Sequence, residues 1–142
     1  MPTKRAWKDI QCTPDHKGPG VYRIRLVDSK GSPPKIPRFL DKDKEGILQI
    51  GSSGNVRERL KRFRGAADGK EYPHSAGKRL ALVKKLNPFK KTYEEFKIEY
   101  HFRRLEHERR AKEEEDKLLK CYFRKFGEAP PLNNSLPGRD LK

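Results

Sequence analysis

Apolar and polar positions alternate along three short stretches of the chain, and run at helical spacing along three others. In the first stretch Tyr22, Ile24 and Leu26 fall on one side and Val21, Arg23 and Arg25 on the other, the period of a half-buried strand over about residues 20–27. Gly46-Ile47-Leu48-Gln49-Ile50-Gly51 reads as its partner strand. Glu95 to Phe102 alternates again, with Phe96, Ile98, Tyr100 and Phe102 as the apolar face. Ser53 or Asn55 can cap a helix over about 54–64, and His74 to Leu86 forms a second helix that Asn87-Pro88 ends. The strongest helix spans about 105–126. Its apolar members Ala111, Leu118, Leu119, Tyr122, Phe123 and Phe126 lie on one stripe, and Gly127 stops it. The order is β-β-α-α-β-α, an α+β domain in which helices cover a small sheet.

The segments between these elements are uneven. Residues 28–45, with Ser32-Pro33-Pro34 and Pro37, are longer than a hairpin needs and read either as a disordered flap or as a loop that contacts substrate. Residues 1–18 are polar without a period and read as a flexible basic N-terminal segment. One domain then covers 19–134, with Ala129 to Asn134 turning back onto it, and 135–142 form a C-terminal tail.

Charge changes the picture. Among 142 residues, 35 Lys and Arg stand against 20 Asp and Glu, a formal +15 that points to a polyanionic partner. The excess is concentrated: residues 55–91 hold 12 basic and 3 acidic side chains, whereas 92–142 hold 12 and 11. The plain alternative is a set of solvated helix faces. A membrane surface fits less well, because the basic helices lack a large Trp/Phe/Leu face. Nucleic acid, DNA ahead of RNA, is the expected partner, with Arg57, Arg62, Arg64, Lys78, Arg79, Lys84 and Lys85 as phosphate contacts, Lys90 and Lys91 beside them, and Tyr72 as the one loop aromatic for a base. Cys12 and Cys121 lack zinc-site spacing, and Cys121, beside Leu118 and Leu119, reads as a core residue. No apolar run is long enough for a signal peptide or a membrane span, which leads to the expectation of a soluble, cytoplasmic protein.

Glu113, Glu114, Glu115 and Asp116 form an acidic run, but helical geometry separates them. At 100° per residue Glu115 lies in line with Ala111, Leu118, Leu119 and Tyr122, while Glu113 points nearly opposite. A half-buried carboxylate needs a partner: an arginine, or a hydrated Mg²⁺ that takes its remaining ligands from substrate oxygens. Geometry permits either.

Taken in order, Gly20-Val21-Tyr22, Gln49-Ile50-Gly51, Arg59, His74, Glu115 and a terminal Pro131-Leu132-Asn133 resemble the GIY-YIG endonucleases over about residues 18–134. The resemblance implies a three-stranded antiparallel sheet flanked by helices and metal-dependent cleavage of a phosphodiester. It also implies site residues: Tyr22, Arg59, His74 and Glu115 as catalytic, Glu115 as the ligand of Mg²⁺ or Mn²⁺, and Gln49 and Asn133 as substrate-positioning. Arg59 would grip the scissile phosphate. Tyr22 would act as general base, its pKa depressed by nearby cations, or as orienter of the attacking water, with His74 as a second candidate for proton transfer. The sequence departs from the pattern at Gln49, where the family usually has a second tyrosine. A carboxamide cannot serve as a base. The alternatives are therefore an active nuclease, a binding module that has lost cleavage, and a basic protein that docks an acidic partner; double-strand cutting would call for a dimer or sequential nicking.

Overall fold

The computed structural model describes residues 6–93 and 95–134; the expected tail at 135–142 lies outside them. Ten elements follow in order: β1 (Lys8–Asp9), β2 (Gly20–Val27), β3 (Ile36–Pro37), β4 (Lys42–Asp43), β5 (Ile47–Ser53), α1 (Val56–Ala67), α2 (Ser75–Val83), α3 (Asn87–Thr92), β6 (Lys97–Arg104) and α4 (Glu108–Phe126). The main sheet is antiparallel in the order β1-β6-β2-β5. It has four strands rather than the expected three, because Lys8–Asp9 adds to the outer side of β6.

That fourth strand places Lys8–Asp9, read as part of a flexible segment, in the sheet. Trp7 and Ile10 flank it and are buried on opposite faces of the sheet, Trp7 with the α4 core and Ile10 with the α1/α2 core. Two apolar residues separated by three positions carry too little periodicity to announce an edge strand.

β2 is central and buried on both faces, not half-buried. Tyr22, Ile24 and Leu26 join Leu48 with Val56, Leu60 and Phe63 of α1 and Leu80 of α2. The opposite face packs Ile47, Ile50 and Trp7 against Leu119, Tyr122 and Phe126 of α4. The arginines that suggested a solvent face are accommodated under α4: Arg25 gives two hydrogen bonds to Glu99, at 2.7 and 3.0 Å, and lies 4.2 Å over the Trp7 ring. Paired in this way, its charge is tolerable at low exposure. A bulge leaves Leu48 without a cross-strand partner and sets Gln49 opposite Ile24, on the face that carries Tyr22.

The helix boundaries follow local chemistry. Asn55 caps α1 by accepting from the Glu58 amide, and His74 caps α2 through Nδ1 from the Gly77 amide. The second helix ends at Val83, earlier than expected. Pro88 does not stop a helix but opens α3, where its missing N–H is harmless. Glu95 takes a left-handed backbone (φ 56°) and delays β6 to Lys97, so Phe96 packs against Phe89 of α3 instead of joining the strand face. His107 caps α4 and Gly127 ends it in the left-handed conformation.

The 28–45 connection is not a disordered flap. Its hairpin β3–β4 folds over the C-terminal end of α4, with the Leu40 amide on the Phe126 carbonyl and Arg38 on the Ala129 carbonyl. Asp43 is its anchor, fully buried, accepting from the Glu45 and Ile47 amides and from the Tyr122 hydroxyl at 2.7 Å. Cys121, expected in the core, is exposed and unpaired, since it falls beside the buried stripe of α4 rather than on it.

Candidate active site

β5 is an edge strand, and among the described residues only part of its outer edge is covered. The Leu132 amide donates to the Leu48 carbonyl, and the Asn133 carboxamide accepts from the Ile50 amide and donates to the Ile50 carbonyl, both at 2.9 Å. The covering segment bonds β5 at Leu48 and Ile50; Gly51, Ser52 and Ser53 lie beyond these bonds. Tyr22 and Glu115 reach this end of the strand.

Tyr22 stands directly across from Gly51. A Cβ at position 51 would fall 2.5 Å from both the Tyr22 Cζ and Oη atoms, so the ring lies over Gly51 and its hydroxyl reaches β5 only because there is no side chain there. Gly20 has a similar reason: a Cβ would strike the Arg103 carbonyl and a Val56 methyl, each at 2.7 Å, and push α1 off the sheet. The glycines of the two motifs are therefore packing requirements that set α1 and Tyr22 in place.

Glu115 approaches from the opposite face of the sheet on α4. It is half-buried, and its carboxylate accepts from the hydroxyl and the amide of Ser52. Burial pushes its pKa up, against the opposing pull of Lys112, Ser52 and Arg59. Arg59, on the first turn of α1, bears electrostatically on Tyr22, on His74 and on Glu115. Three side chains, from β2, the α2 cap and α4, thus lie within the electrostatic reach of the Arg59 guanidinium.

The electrostatics differ from the expectation in two places. Burial raises the Tyr22 pKa well above its ordinary value, Glu115 adds to the rise, and Arg59 only partly opposes it. His74 is buried, and its pKa is lowered to about 4, first by burial and then by Arg59 and Arg62. Because its Nδ1 accepts from Gly77, the neutral ring carries its proton on Nε2, which is buried with no partner. Proton abstraction by His74 does not fit this arrangement; it caps α2 and packs edge-on against Phe63, with ring centroids 5.3 Å apart.

Gln49 shares the Tyr22 face, and its Oε1 is likewise buried without a hydrogen-bond partner. Asn133 is committed at both ends to Ile50, so it positions β5 rather than substrate. Of the basic residues, Arg64 holds Gln11 and Thr13 of the N-terminal segment, Arg79 bonds the Pro131 carbonyl and the Asn134 side chain, and Lys84 bonds the Ala67 carbonyl at 2.9 Å. These three hold the fold. Arg62 pairs with Glu58, while Arg57, Lys78 and Lys85 make no side-chain ion pair among the described residues. Tyr72 lies against Gly65 of α1 with part of its ring exposed. Ser52 was missed by sequence reading, although it directly follows the second motif.

The donor set defines what kind of metal it suits. Among the described residues no three His, Cys, Asp or Glu side chains cluster, so a closed protein cage is absent. One half-buried carboxylate beside a serine hydroxyl fits an ion that keeps most of its waters and takes further ligands from phosphate oxygens, as Mg²⁺ does.

An antiparallel sheet with helices on both faces, and an arginine, a tyrosine and a carboxylate gathered at one strand edge beside a strongly basic segment, defines a domain built to handle nucleic-acid phosphates. Residues 5–128 match the family described as GIY-YIG domain-containing protein, and the chain belongs to that family. Membership implies a nucleic-acid substrate and nuclease-type hydrolysis. No curated protein and no solved structure matches the chain significantly. No helix among the described residues is long and apolar enough to cross a membrane.

Proposed function

We propose that this chain is a divalent-metal-dependent endonuclease acting on DNA. The observation that carries the reading is the convergence of Tyr22, Arg59 and Glu115, from three different elements, at the end of β5. Arg59 binds the scissile phosphate through its planar guanidinium and offsets the charge that grows as the attacking oxygen adds to phosphorus. Tyr22 orients the attacking water through its hydroxyl, held to one position by the ring's packing across Gly51. Glu115, fixed by Ser52, is the residue that would hold Mg²⁺ or Mn²⁺, which when bound polarises a phosphoryl oxygen and eases departure of the leaving oxygen. Gln49 supplies a hydrogen-bonding carboxamide where a second tyrosine is usual, and it orders water or phosphate without moving a proton. His74 acts through Arg59 and the α2 cap rather than on the substrate.

The test is cleavage of supercoiled plasmid by purified protein with Mg²⁺, Mn²⁺ or EDTA, alongside Glu115→Gln and Arg59→Ala. Metal-dependent nicking that both variants lose supports the reading. Glu115→Gln should also bind DNA as well as wild type and melt no lower, because burial disfavours the charge it removes. Salt-sensitive binding with no cleavage in any metal is the result expected of a binding module, and it would replace the nuclease reading.

A further inference from the structure

A second cationic cleft, about 380 Å³ in volume, opens between the sheet and α4, lined by Val21, Tyr22, Arg23, His101, Arg103, Glu114 and Leu118. It lies on the face from which Glu115 approaches, not on the Arg59 face. Cross-strand register explains it. Ser52, Val21 and Arg103 form one row across β5, β2 and β6, and Ile50, Arg23 and His101 form the next. Ser52 holds Glu115, and Arg103 is two strands away, roughly 10 Å at the usual strand spacing.

Two arginines on this face with the same chemistry are treated differently. Arg25 is bonded to Glu99 at 2.7 Å, whereas Arg23 meets Glu45 only at 3.9 Å with its side chain 15% exposed. A guanidinium so loosely paired, lining an open cleft, can turn its donors to a further acceptor there. Arg23 also lies 5.4 Å from the Trp7 ring, which holds it in place from the side. Arg103, at the mouth, is 59% exposed and joined to Glu114 at 2.8 Å. Glu114 also faces Arg110 at 3.4 Å and Lys117 at 3.5 Å, so it keeps two cations when Arg103 leaves.

We propose that this cleft is a phosphate subsite for the strand flanking the scissile bond, in which Arg23 and Arg103 bind a backbone phosphodiester and Glu114 occupies the Arg103 guanidinium when no nucleic acid is bound. The proposal rests on the nuclease reading, since it takes the substrate backbone to continue from Glu115 across the Ser52-Val21-Arg103 row. Loading exchanges one carboxylate for one phosphate on Arg103. No covalent step is involved.

The experiment measures anisotropy of a fluorescein-labelled DNA duplex, without divalent metal, across a salt titration for wild type, Arg103→Gln, Arg23→Gln and Glu114→Gln. Arg103→Gln should weaken binding about 10-fold and lower the salt slope by about one unit. Arg23→Gln should do the same, and its melting curve shows whether it folds. Glu114→Gln should bind more tightly than wild type, a gain that a merely structural role for the ion pair does not produce. Wild-type binding with unchanged affinity in both Arg103→Gln and Glu114→Gln overturns the subsite and leaves the nuclease reading intact. Failure of wild type to bind at all overturns both.

Discussion

Gly51→Ala is the sharpest test of how the fold makes the site. The added methyl would sit 2.5 Å from the Tyr22 Oη and Cζ and 2.9 Å from Cε2, against an ordinary contact of 3.4 Å or more. The ring must therefore shift by about 1 Å, and it has little room, since Tyr22 is 3% exposed among Ile24, Leu60 and Phe63. Overpacking of this kind destabilises by about 1–3 kcal/mol, a fall in Tm of roughly 3–10 °C for a chain of this size. A misplacement of about 1 Å in a positioning hydroxyl lowers rate by about 100-fold. Cleavage should thus fall far more than folding. Steady-state nicking of plasmid, with thermal melts as control, measures both. Tyr22→Phe supplies the cross-check, because it removes the hydroxyl that Gly51→Ala displaces. If both act through Tyr22, the double variant is scarcely slower than either single one. Wild-type cleavage by Gly51→Ala, or losses that multiply in the double variant, would refute the argument.

Three further outcomes follow from the geometry. His74 has a pKa of about 4 in the folded protein against an ordinary 6.5, so above pH 6.5 it is neutral in both states and contributes no pH dependence. As pH falls from 6.5 to 4 only the unfolded chain takes up its proton, and stability drops by up to about 3 kcal/mol. His74→Asn, which keeps a good cap, should flatten that part of a plot of urea midpoint against pH. Asn133→Ala strips both bonds from Ile50 and should cost about 1–3 kcal/mol by denaturant titration, with cleavage falling through the loosened β5 edge. Asp43→Ala leaves the Tyr122 hydroxyl and two amides without their buried acceptor, so it should lower Tm by several degrees and make the 36–43 hairpin protease-sensitive, read by limited proteolysis.

Much of the fold was legible because its signals are local. The alternation through β2 and the stripe along α4 report burial at known periods, and Asn55, His74 and Gly127 act as caps within a few residues of what they cap. Glu115 could be singled out from its acidic neighbours by helix geometry alone. What escaped depends on distant partners. Nothing near Lys8 announces its pairing with Tyr100, and nothing near Asp43 announces the Tyr122 hydroxyl 79 residues later.

The sequence by itself determined the order of the main strands and helices, the concentration of basic residues over 55–91 and the candidate side chains, because these depend on composition and on short-range periodicity. Only the tertiary structure decided how those side chains serve. It made Asn133 a strand clamp and His74 a helix cap whose Nδ1 accepts from the Gly77 amide. It raised Tyr22 where a count of nearby cations predicted lowering, since desolvation is set by what packs around a group and not by which residues precede or follow it. It also set Arg23 and Arg103 in one cleft through cross-strand register, a relation between residues 80 apart in the chain that no local pattern contains.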